Sequence, residues 1–80
     1  MRWYVKRKSE DEKSIFISYS YEKNDTCDGL LRYDKTTDKI EIEEMSEGAD
    51  EFATKWLFRH VYGLLDDKKL NGEKRMIAIG

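Results

Sequence analysis

The chain has 80 residues, 39% of them hydrophobic, including two Trp, five Tyr and three Phe, enough bulk for one small core and too little chain for two domains. Fifteen Lys and Arg stand against 17 Asp and Glu, for a net charge of −2 at pH 7. That balance argues against strong whole-molecule attraction to nucleic acid or to an anionic membrane.

Residues 2–7 alternate, with Trp3 and Val5 on one face and Arg2, Tyr4 and Lys6 on the other. Residues 14–21 alternate again, setting Ile15, Ile17, Tyr19 and Tyr21 against Phe16, Ser18 and Ser20. A period of two predicts two strands, joined by the polar stretch Ser9–Lys13. Pairing Val5 with Ile15 and Trp3 with Ile17 keeps the apolar residues on one side.

Counting outward from Thr36-Thr37 predicts a hairpin. Lys35 then opposes Asp38, Asp34 opposes Lys39, Tyr33 opposes Ile40, Arg32 opposes Glu41 and Leu31 opposes Ile42. Every pair is charge-complementary or apolar, worth about 0.2–1 kcal/mol each, and a one-residue slip breaks the pattern. Two β-branched Thr suit a tight primed turn badly, so a four-residue loop, 35–38, is expected.

Ser46 is the expected N-cap of a helix whose first turns carry Glu47, Asp50 and Glu51, where the helix dipole favours negative charge. At 100° per residue, Ala53, Trp56, Leu57, His60, Val61, Leu64 and Leu65 form one apolar arc, with Phe58 and Tyr62 at its edge. Gly63 falls inside the helix because Leu64 and Leu65 keep the phase, and Lys68 and Lys69 suit its C-terminus. Asn71-Gly72 makes a turn before a last strand, Met76–Ile79. The expected fold is a single α+β domain over residues 1–80. It comprises a four-stranded antiparallel meander, one long helix packed on one face, and a fifth C-terminal strand, in the order 4-3-2-1-5.

The residues predict no enzyme. The one cysteine, Cys27, permits neither an intramolecular disulfide nor a cysteine-based zinc site. Its acidic neighbours work against an activated thiolate. His60, the one histidine, shares a helical face with Trp56 and Leu64 and reads as a core or rim residue. The loop Asn24, Thr26, Asp28-Gly29 has the early spacing of a calcium loop, but its twelfth position is Lys35 where a bidentate Glu is needed. No cofactor or metal is expected. Few cysteines, no apolar leader after Met1 and no apolar run near the ~20 residues of a bilayer span point to a cytoplasmic protein without membrane association.

One helix, roughly 10–12 Å across, is too narrow to cover five strands at about 4.8 Å spacing. The leftover apolar surface predicts a protein–protein interaction or regulatory module, including self-association, with Phe58, Tyr62, Trp3 and Trp56 as interface residues. The alternative is nucleic-acid or acidic-partner binding through a basic edge, Lys6, Arg7, Lys8, Lys68, Lys69, Lys74 and Arg75, which the proposed topology gathers together.

Overall fold

Residues 1–79 are described by the computed structural model, which runs β1 (Arg2–Glu10), β2 (Ser14–Tyr21), β3 (Gly29–Asp34), β4 (Lys39–Glu44), α1 (Glu51–Asp66) and β5 (Arg75–Ala78). All five strands form one antiparallel sheet in the order β4-β3-β2-β1-β5, with α1 across one face. This is the α+β fold and strand order expected from the sequence.

The β3–β4 hairpin adopts the register that its charges dictate, pairing Leu31 with Ile42, Arg32 with Glu41, Tyr33 with Ile40 and Asp34 with Lys39. Its loop is 35–38, closed by Asp38 in the left-handed region (φ 58°), whose N–H donates to the Asp34 carbonyl at 2.8 Å. The Asp34 carboxylate accepts from the Thr36 and Thr37 amides at 2.8 and 3.2 Å, so Asp supplies the turn chemistry that Thr lacks.

The β1–β2 register differs from expectation. Val5 lies opposite Tyr19 and Trp3 opposite Tyr21, a slide of four residues. The cause is a tighter turn. The Asp11 carboxylate accepts from Lys13 N–H (2.8 Å) and Ser14 N–H (2.7 Å), so β1 continues to Glu10. A bulge between Arg7 and Ser9 absorbs one residue. Because four is even, each side chain around Trp3 and Val5 stays on its expected face.

The helix begins later than expected. Asp50, not Ser46, is the N-cap, its carboxylate accepting from Ala53 N–H at 2.7 Å. Residues 46–49 form a turn instead, with Gly48 at φ 87° and the Ala49 N–H on the Ser46 carbonyl. The helix runs through Gly63 as predicted. It stops where Lys68 turns left-handed (φ 55°), with Lys68 N–H on the Leu65 carbonyl and Lys69 N–H on Leu64. That is a Schellman ending with lysine where glycine is usual.

Trp3, Val5, Ile17, Tyr19, Leu31, Leu57 and Val61 are fully buried, and each aliphatic among them contributes about 1.5–3 kcal/mol by leaving water. The buried line of α1 is Thr54, Leu57 and Val61. The helix is therefore rotated from the expected arc, and Trp56 and His60 face solvent. Thr54 explains the difference. Its hydroxyl lies 3.4 Å from both the Tyr19 hydroxyl and the Met45 sulfur, which lets a polar residue occupy the centre of the packed face.

Candidate functional site: the acidic corner between β4 and α1

β4 is an outermost strand, and α1 spans its start, where the Tyr62 hydroxyl meets the Ile40 N–H and the Asp38 carbonyl, more closely than its end. The space left is a groove of about 540 Å³, lined by Ile40, Ile42, Met45 and Phe58 with Glu41, Glu43, Glu51 and Lys55 around them. Its position is fixed by one buried hub. The Tyr19 hydroxyl accepts from the Ser46 N–H at 3.1 Å and lies 3.4 Å from the Met45 sulfur. The Ser46 hydroxyl donates in turn to the Asp28 carboxylate at 2.6 Å, and the Asn24 amide donates to the same oxygen at 3.1 Å. These bonds hold segment 45–47, and with it one wall of the groove and the approach to α1.

The edge and outer face of β4 are acidic. Arg32 lies 2.6 Å from Glu41, 2.7 Å from Glu43 and 3.7 Å from Asp34. Three carboxylates share one guanidinium, so the network keeps a surplus of negative charge. The hydrogen bonds that Arg32 donates to Glu43 and Glu41 raise its pKa further and hold it protonated. Glu44, Glu47 and Glu51 are exposed nearby, and Lys55 answers only Glu51, at 3.0 Å.

Beside the groove, the outward crest of α1 is aromatic. Phe52 is 74% exposed and Trp56 is 49% exposed, their rings edge-to-face at 6.3 Å. Lys55 and Arg59 flank them in a shallow depression. Of the interface residues expected from sequence, Trp56 lies on this crest. Trp3 is fully buried against Tyr19 and Tyr21, out of reach of any partner in the folded chain. Phe58 and Tyr62 are half-buried and pack against the core, Phe58 also lining the groove. Tyr62 meets Tyr33 edge-to-face at 6.2 Å. Phe52 and Met45 were missed by the periodicity. Phe52 is the residue that would have been found had Thr54 been placed at the centre of the buried face.

The basic residues do gather at the opposite end, where α1 ends and β1 meets β5, with Val5 opposite Arg75. Several are already engaged. Arg7 lies 3.6 Å from Glu10. Lys74 lies 3.5 Å from the Asp25 carboxylate and sits over the Tyr4 ring at 5.4 Å. Arg75 donates to the Lys69 carbonyl at 3.2 Å. Lys8, Lys68 and Lys69 are exposed, and Lys6 is half-buried on the sheet's other face.

Cys27 is buried, its N–H donating to the Ser20 hydroxyl at 3.1 Å. Among the described residues, no group of three or more His, Cys, Asp or Glu is placed to hold a metal ion, and no helix is long and apolar enough to cross a membrane. Comparison with protein-family models, with curated proteins and with solved structures finds no match.

Proposed function

We propose that the protein is a protein-interaction module that receives a basic, amphipathic polypeptide segment in the groove between β4 and α1. The observation that carries this reading is the groove itself, an apolar floor of Ile40, Ile42, Met45 and Phe58 beneath an acidic rim. An apolar floor removes side chains from water at about 25 cal/mol per Å². The surplus carboxylates select the partner's charge and speed its approach. Phe52 and Trp56 extend the apolar surface beyond the groove, in the aromatic-rich manner of interface centres. A nucleic-acid backbone fits this corner badly, because its charge has the same sign.

The test is titration with an end-capped peptide of alternating Leu and Lys, read by backbone amide NMR and by tryptophan fluorescence. Trp56 should report binding and Trp3, being buried, should not. Amide shifts should cluster in β4, in 45–51 and along α1. An otherwise identical Leu/Glu peptide should bind at least tenfold more weakly, and Glu51→Lys should weaken the Leu/Lys peptide several-fold. Equal binding of both peptides, or shifts confined to the β1–β5 corner, would overturn the proposal.

A further inference from the structure

The two outer edges of the sheet are built differently. On β4, the Tyr62 hydroxyl accepts from the Ile40 N–H at 3.0 Å and donates to the Asp38 carbonyl at 3.1 Å. Outward-facing backbone groups alternate along an antiparallel strand, so Ile42 is the next outward residue. The bulge where pairing shifts from Leu31 to Leu30 breaks the run just beyond it. A second copy could avoid the clipped Ile40 amide only by pairing Ile42 with Ile42, which sets Glu41 against Glu43 on both sides of the axis. Directly opposed like charges are destabilising. A clip, a bulge and repelling carboxylates are the devices that guard an edge against pairing.

β5 has none of these among the described residues. Met1 and Ile79 exchange both backbone hydrogen bonds, at 2.5 and 2.7 Å. Alternation therefore turns the N–H and C=O groups of Met76 and Ala78 away from β1. Both side chains are exposed, Met76 by 57%.

We propose that β5 is a self-pairing edge, joining two copies of this chain antiparallel about a twofold axis at Ile77 into one continuous ten-stranded sheet. Met76 of each copy then lies opposite Ala78 of the other, and all the outward groups of both residues are used in two reciprocal pairs. Ile77 meets Ile77 on the core face, and Arg75 meets Ile79. No like charges are opposed. The two Arg75 residues stand four residues apart along the strands, about 14 Å, beyond the roughly 8 Å Debye length at physiological ionic strength. The axis is perpendicular to the sheet, so both helices lie on one side of it. Tyr62 turns toward β4, so the opposite flank of α1, with His60, is the one that faces β5 and the second copy. The groove at β4 stays open at the far end of each copy, so this inference is independent of the proposed function.

A four-residue edge makes a small interface, and the association is transient. Sedimentation from micromolar to millimolar concentration should show the mass rising from the chain's 9.5 kDa toward twice that value. Amide exchange at Met76 and Ala78 should slow as concentration rises, with Ile42 unchanged. Met76→Pro removes only an outward donor, as edge strands tolerate, and should abolish association while the circular dichroism spectrum stays the same. The exchange measurement needs no variant and decides the matter if Met76→Pro does not fold. A constant 9.5 kDa mass at millimolar concentration, or association that leaves Met76 and Ala78 exchanging freely, overturns the inference.

Discussion

Replacing Gly29 by alanine perturbs the hub beneath the groove. Gly29 opposes Tyr19 across the β2–β3 pair. A Cβ built there would overlap the Tyr19 ring and lie 2.8 Å from the Ser46 backbone nitrogen. Both contacts are too close for a real Cβ, so the Tyr19 ring and the Ser46 backbone both have to shift. That shift breaks the bond from Ser46 N–H to the Tyr19 hydroxyl, leaving a buried donor unsatisfied at about 1–3 kcal/mol. Overpacking adds about 1–3 kcal/mol. The expected loss is about 2–6 kcal/mol, and each kcal/mol moves the melting temperature of a domain this size by about 4–8 °C. Thermal unfolding followed by circular dichroism measures it. Tyr19→Phe, which removes the same hydroxyl, should be partly redundant with Gly29→Ala in a double-mutant cycle. A loss below about 1 kcal/mol for Gly29→Ala, or full additivity with Tyr19→Phe, would refute the idea that one ring holds segment 45–47 in place.

Two further outcomes follow from local geometry. Lys68→Gly should stabilise the protein by about 0.5–1 kcal/mol. It relieves a left-handed lysine costing about 1–2 kcal/mol and gives back about 0.5–1 kcal/mol in glycine's unfolded-state freedom; a urea midpoint that falls speaks against it. Asp28 is held below its ordinary carboxyl value of 3.8, chiefly by the Ser46 hydroxyl, then by the Glu47 N–H and the Asn24 amide. A depressed value means that its contribution is complete above 3.8 and is lost as pH falls through the lowered value. A carbon-13 titration of its carboxyl should show a midpoint below 3.8, and a midpoint at or above that value would contradict the hydrogen-bond assignment.

Much of the fold was legible because the chain writes its pairing in charges. Arg32 opposite Glu41 and Asp34 opposite Lys39 admit one register only, and the structure has it. The β1–β2 register was not legible, because the polar run from Ser9 to Lys13 allows several turns and only the Asp11 side chain selects among them. The rotation of α1 was hidden for a related reason. Thr54 scores as polar, yet its hydroxyl is satisfied inside the protein by groups from β2 and from the segment before α1. Trp56 scores as core, yet it stands half in water. The groove could not be read from periodicity at all. Its lining comes from a strand, a loop and a helix, and its existence depends on α1 spanning the start of β4 more closely than its end. That Arg7 and Arg75 lie at one end of the sheet follows from the strand order alone.

The Tyr62 hydroxyl on Ile40 and Asp38 also bears on how the chain folds. The meander is local in sequence, with each of the first three strands paired to the next, so it can assemble before the helix settles. Until then the strand containing Ile40-Glu41-Ile42 has no clip, and a nascent sheet in a crowded solution presents bare backbone to its neighbours. Docking of the helix closes that window, because the side chain that caps the strand arrives only with the helix. Tyr62→Phe, which leaves the Ile40 N–H and the Asp38 carbonyl open, should make the chain more prone to aggregate on refolding than the parent.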